Sequence, residues 1–158
     1  MITPVKIRDA VEALLQEAFP GEPVYKNTVP LRFERPSSYV SCAAVSAATA
    51  GMDILELRFR LEIMTFVQTD ERHDSDSDSL YLRAMKILAL FAPGYIRVFD
   101  SDTASRCPKV GGVEIPETGL DYAKIQVTLT LTMSREELQE KNGDDGPLME
   151  TVAFRKTQ

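Results

Sequence analysis

From Ile54 to Val67 the chain reads ILELRFRLEIMTFV, in which Leu55, Leu57, Phe59, Leu61 and Ile63 alternate with Glu56, Arg58, Arg60 and Glu62. Side chains on a strand point to opposite faces with period two, so this stretch predicts a strand with one oily face and one charged face. Tyr122 to Met133 repeats the pattern. Ala123, Ile125, Val127, Leu129, Leu131 and Met133 make an apolar set, and Lys124, Gln126, Thr128, Thr130 and Thr132 a polar one. Two such one-sided strands imply a sheet with a single buried face, as in an antiparallel or mixed sheet covered by helices on one side.

Helical spacing supplies the cover. Ile7, Val11, Leu14 (with Leu15) and Ala18 form a stripe behind Thr3-Pro4, a capping residue followed by a proline suited to the first helical position, and Pro20-Gly21 ends the run. A second, more apolar helix is expected over Leu80–Ala92, with Leu80, Ala84, Ile87, Leu88 and Phe91 on one face, only Arg83 and Lys86 charged, and Pro93-Gly94 as its stop. Between the helices, Pro23, Pro30 and Pro36 confine Val24-Tyr25-Lys26 to an edge strand. A strand over Tyr39–Ser46, rich in small residues that imply a close neighbour, pairs with the Ile54 strand through the turn Gly51-Met52-Asp53. Tyr95–Phe99 predicts a short strand, and the long connection Asp100–Leu120 holds one more over Lys109–Ile115. The expected class is α+β, an antiparallel or mixed sheet of about four or five strands with two helices packed on one face. Residues 1–134 form the single domain. Residues 135–158 read as one helical turn and a polar, mobile tail that closes on the apolar Leu148, Val152 and Phe154, a segment suited to docking.

Composition narrows the function classes. The 158 residues suit one domain, and 44% hydrophobic content supports a core. A net charge of -6 argues against a general nucleic-acid binder, which needs a basic surface to displace counterions, though not against a protein that DNA merely passes. No apolar run is long enough for a membrane span, and the first residues lack a signal-peptide core and cleavage site, so the chain reads as cytosolic. Cys42 and Cys107 have no C-x-x-C spacing and are expected to be buried free thiols, with no zinc or redox role.

Candidate chemistry is sparse. Asp70, Glu71, Arg72, His73, Asp74, Asp76 and Asp78 form a polar loop that invites a metal reading, and Asp74, Asp76 and Asp78 match the start of a calcium loop. That template requires Gly and Glu where this chain has Ser79 and Met85, so the cluster is better read as the N-terminal flank of a helix and a docking loop. Nucleophile elbows, phosphate loops and dinucleotide glycine patterns are missing. Glu56 and Glu62 share a strand face but lie roughly 20 Å apart by strand rise, too far for one metal. No catalytic, cofactor or metal residue is assigned and a non-enzyme is expected, with a small metal-dependent enzyme as the outlying alternative.

The row Glu56, Arg58, Arg60 and Glu62 has two readings. It is the solvent face of a sheet whose neighbouring strands offer opposite charges, or it lines a ring or a subunit interface. A resemblance bears on the choice. The opening IRDAVEALLQEAFPGEPVYKNTV, the strand at PSSYV, the alternating ELRFRLEIMTFV, the helix LYLRAMKIL and the final DYAKIQVTLTLTM resemble, in this order, the small tail terminator proteins of prophages in Gram-positive bacteria. The likeness covers about Thr3 to Met133 through patterned positions. It implies a virion structural protein, made in the host cytoplasm, whose α+β subunits form a six-fold ring on the tail tube. The partners it implies are further copies of the chain, the tail tube protein and the head–tail connector protein, with DNA passing through the lumen unrecognised. A head–tail connector or head-closure protein is the alternative within the same virion.

Overall fold

The structure, a computed structural model, describes residues 1–143. Helix α1 spans Pro4–Ala18, with the Thr3 hydroxyl accepting the Lys6 amide at 3.3 Å and Ile7, Val11 and Leu15 buried. Strand β1 (Val24–Tyr25) runs parallel to β2 (Ser37–Thr49), which forms an antiparallel hairpin with β3 (Ile54–Phe66). Helix α2 spans Ser77–Ala89. The short β4 (Val98–Phe99) and β5 (Ser105–Arg106) pair with each other. Strand β6 (Lys109–Thr118), strand β7 (Ala123–Ser134) and helix α3 (Arg135–Gly143) complete the described chain. The main sheet has the order β1-β2-β3-β7-β6, and every contact but β1·β2 is antiparallel. The chain is an α+β protein with a five-stranded mixed sheet.

The two alternating segments form its centre. Phe59, Leu61 and Ile63 of β3 and Ile125, Val127 and Leu129 of β7 point to one side and are closed off by Ile7, Val11 and Leu15 of α1 and Leu80, Ala84 and Ile87 of α2. This apolar burial drives the fold, and among the described residues no helix covers the opposite face of the sheet.

Several boundaries differ from the sequence expectation. Helix α2 starts ahead of Leu80, with Asp76 at its N-cap, where the acidic flank complements the exposed amides of the first turn. Of Tyr95–Phe99 only Val98–Phe99 is strand, and it joins β5 rather than the main sheet. Ile96 and Val98 are held in the core while the Ile96 amide bonds to Pro108 O. Strand β6 continues to Thr118, past Pro116, because it is an outermost strand and its register shifts between Glu114 and Glu117. The chain after Ser134 does not leave the domain at once. Leu138 packs on the core, and Arg135 donates to Met52 O at 3.0 Å and to the Thr49 hydroxyl at 3.1 Å. Leu148, Val152 and Phe154 lie outside the described residues. Cys42 is half-buried and Cys107 exposed, so the expectation of two buried thiols fails at Cys107, which flanks the β5–β6 turn outside the core.

Candidate functional site

The face that the helices leave open is built on β3. Glu56, Arg58, Arg60 and Glu62 all project there, opposite Thr132, Thr130, Thr128 and Gln126 of β7. On the other side they oppose Ala48, Ser46, Ala44 and Ser41 of β2. The cross-strand neighbours are therefore small or neutral, and the ladder of opposite charges expected from adjacent strands is not formed. Two of the charges pair along the strand and one reaches a diagonal neighbour on β7. Arg58 Nε donates to Glu56 Oε1 at 2.9 Å along the same strand, and Glu62 lies 3.9 Å from Lys124. Arg60 is exposed and makes no ion pair among the described residues. The result is a charged stripe down the centre of a face otherwise made of hydroxyl, amide and methyl groups.

Among the described residues both borders of that face lack a pairing strand over most of their length. Strand β1 covers β2 only at Ser38 and Tyr39, so Ser41–Thr49 is an edge with no charged residue and no proline. Sheet edges of this kind are normally blunted by lysine, proline or a covering element. A bulge at Ala43, where the pairing steps from Cys42–Leu61 to Ala44–Arg60, sends Val45, Ala47 and Thr49 to the helix side of the sheet. Val45 remains 48% exposed and Ala47 is exposed too, while the Thr49 hydroxyl accepts from Arg135 of α3 at 3.1 Å. Strand β6 is the opposite border and carries Lys109, Glu114 and Glu117.

The polar loop is a self-contained turn. The Asp70 carboxylate accepts the amides of Arg72 at 2.8 Å and Asp74 at 2.9 Å, the His73 amide donates to Asp70 O at 3.0 Å, and His73 adopts φ 64. Thr69 and Ser75 close the turn by a bridge. Asp70 therefore serves as the hub of an Asx-type turn. Asp76 accepts the Ser79 hydroxyl at 2.6 Å, and this bond holds its carboxyl below the usual carboxylate range. Asp78 sits in the first turn of α2, and Glu71, Arg72, His73 and Asp74 are exposed. Among the described residues no three His, Cys, Asp or Glu side chains converge as a metal site would require. Among the described residues no hydrogen bond or ion pair joins the loop to the charged stripe.

Sequence reasoning missed polar constellations whose members lie far apart in the chain, among them the amino terminus and Lys6 on Asp100 and a cluster around Arg83. Arg83 of α2 has a side chain only 9% exposed. It donates to Glu22 Oε2 at 2.6 Å and to the Thr65 hydroxyl, and its guanidinium lies 4.0 Å from the centre of the Phe19 ring. The lone arginine on the Leu80 helix was the visible signal, but its partner is 61 residues away. This network ties α2 to the α1–β1 connection and is structural.

No family model and no curated protein matches the chain. Among solved structures, one chain known only by a sequence identifier is 18% identical, with 85% of this chain and 97% of that chain covered at a TM-score of 0.39. Likeness at that level carries no argument about fold or function. Among the described residues no helix is long and apolar enough to cross a membrane.

Proposed function

We propose that this chain is a non-enzymatic assembly subunit, a tail terminator of a long-tailed phage. It closes into a ring on the end of the tail tube, joins it to the head connector, and lets DNA pass through the lumen. The observation that carries the ring is the pair of open borders on a sheet with one bare face. Strands β2, β3, β7 and β6 alternate in direction, so the two borders run antiparallel to each other. A copy rotated about an axis beside the sheet sets its β6 against the β2 edge in the same antiparallel sense. That is a heterologous contact, and it closes when the rotation closes. The helices occupy one face, which leaves Glu56, Arg58, Arg60 and Glu62 to line the channel or the contact between copies. A subunit of net charge -6 repels the DNA backbone rather than holding it. The specific role, terminator rather than connector, rests on the resemblance of the helix–strand order to tail terminators.

The test is size-exclusion chromatography with light scattering on the chain alone and after addition of tail tubes. A discrete ring, in solution or on the tube end, supports the reading, and capture by the head connector without tube binding favours head closure instead. A chain that stays monomeric with tubes and connector present, or one with metal-dependent nuclease activity, refutes it.

A further inference from the structure

On the bare face, the two borders that a ring brings together differ in charge. Strand β2 presents Ala44, Ser46 and Ala48 there, level with Arg60, Arg58 and Glu56 of β3. Strand β6 presents Lys109, Glu114 and Glu117, level with Thr130, Gln126 and Lys124 of β7. Glu117 accepts the Tyr122 hydroxyl and lies 3.9 Å from Lys124, the same lysine that Glu62 approaches at 3.9 Å. Glu114 and Arg60 are exposed and have no ion pair among the described residues. Arg58 gives its Nε to Glu56, and its two terminal nitrogens make no hydrogen bond among the described residues.

Two features restrict how β6 of a neighbouring copy lies against β2. At its start the outer edge of β6 is occupied, since Lys109 is bridged to Tyr95 and the Val110 amide donates to Gly94 O at 2.8 Å. Further on, Pro116 has no N–H to give. Gly112–Ile115 is left for main-chain pairing with Val45–Ala48, a short contact of mostly small side chains, and such strands specify their register weakly. Side chains then decide it. With Glu114 of the neighbouring copy opposite Ser46, antiparallel pairing sets its Gly112 opposite Ala48, its Val113 opposite Ala47 and its Ile115 opposite Val45. Apolar side chains then meet on the helix side, where Val45 is 48% exposed. On the bare face the same register brings the neighbour's Glu114 level with Arg58 and, through the shift after Glu114, its Glu117 level with Arg60. Sliding the neighbour to set its Glu114 against Arg60 puts its Lys109 opposite Ala48, on the side where Tyr95 already lies.

Strand β3 is two strand spacings from that neighbouring β6, about 10 Å. Between them stand only the short side chains of Ala44 and Ser46, over which an arginine stem can lie while its guanidinium meets a glutamate from the other side. We propose that in the ring Arg58 and Arg60 reach over β2 to Glu114 and Glu117 of the neighbouring copy, and that these pairs set the register of the contact. The proposal rests on the ring reading and deepens it: it assigns the arginines of the stripe to the contact between copies rather than to the channel.

The test is a charge-swap cycle at Arg58 and Glu114, read by light scattering as the chain concentration needed to form rings on tail tubes. Arg58→Glu and Glu114→Arg, both at exposed positions, should each raise that concentration about tenfold with unaltered circular dichroism, and the double variant should return to within about threefold of the unaltered chain. Arg58→Glu with Glu117→Arg is the mismatched control and should stay at least as poor as Arg58→Glu alone. An unaltered chain that forms no ring refutes the ring reading, and this inference with it. Rings formed by the unaltered chain but not restored in the double variant overturn the register alone. So does equal restoration by the mismatched control, which reduces the effect to net charge.

Discussion

Replacing Arg83 by methionine isolates the buried ion pair from the apolar packing around it, because methionine retains most of the hydrophobic stem. Three main interactions disappear, together with a long 3.5 Å hydrogen bond to Ser38 Oγ. The hydrogen bond to Glu22 at 2.6 Å involves two charged groups on side chains 9% and 23% exposed, and a bond of this kind is worth about 1.5–3 kcal/mol. The contact with the Phe19 ring at 4.0 Å contributes about 1 kcal/mol, part of which Lys86, 4.7 Å from the same ring, retains. The bond to the Thr65 hydroxyl costs little, since Thr65 keeps Ser38 Oγ at 3.2 Å and Ser37 O at 3.5 Å. The three are coupled and do not add in full, which puts the loss at about 2–3 kcal/mol. For a chain of this size that lowers the melting temperature by about 4–12 °C. The assay is thermal unfolding of Arg83→Met, Glu22→Gln and the double variant. Glu22→Gln leaves the guanidinium without its counter-charge and should cost about 2 kcal/mol by itself, while the double variant should fall short of the sum by at least about 1 kcal/mol. A shift below about 2 °C for Arg83→Met, or full additivity in the cycle, refutes the claim that this pair ties α2 to the α1–β1 connection.

Reversing Arg58 and Arg60 to glutamate should leave the circular dichroism and melting temperature nearly unchanged, because both side chains are exposed, but abolish ring formation on tail tubes in the light-scattering assay; normal tube capping by the reversed protein would make the stripe mere solvated surface. Leu129→Asp places an unpaired charge at a fully buried position on β7 and should leave no cooperative unfolding transition at 25 °C. Asp100 receives hydrogen bonds from Lys6 and from the amino terminus, which lower its pKa from 3.8 to about 2. Since the folded value is the depressed one, its stabilising contribution is full above about pH 4 and is lost as pH falls towards 2. Asp100→Asn should therefore flatten the fall in melting temperature across that window, and an unchanged slope would refute the linkage.

How far the sequence could be read depended on whether the pattern was local. Strands β3 and β7 were legible because each lies centrally in the sheet with helices on one face only, so burial imposed a strict alternation on both. Helix α1 was legible from its cap and stripe, although Leu15 rather than Leu14 is the fully buried member. Strand β2 was blurred by its bulge, which moves the helix-facing set from the even-numbered Val40 and Cys42 to the odd-numbered Val45 and Ala47. Strand β6 was cut short in the reading because Gly111-Gly112 and Pro116 are breakers in a central strand and are tolerated at an edge with register shifts. The charged stripe was seen at once, but its neighbours were not. The facing residues are set by a register that joins Glu62 to Gln126 and Ser41, and a single sequence carries no trace of such long-range pairing.

That register changes what the stripe means. Were the charges there to hold the sheet together, acids and bases would face each other across strands, where such pairs stabilise. Instead each β3 charge faces a hydroxyl, an amide or a methyl on both sides, and its ionic contacts are a same-strand pair and one approach of 3.9 Å. Solubility alone does not require four charges either, because β7 serves its share of the same face with one charge, Lys124, beside Gln126, Thr128, Thr130 and Thr132. Exposed pairs in water are worth little to folding, about 0–1 kcal/mol. A charged row that contributes little to its own sheet is free to vary without cost to the fold, which is what the Arg58 and Arg60 reversal exploits. Under the proposed assembly it is the feature of this face that can select a fitting surface, so the β3 stripe, rather than the polar loop at Asp70–Asp78, is where a test of that proposal starts.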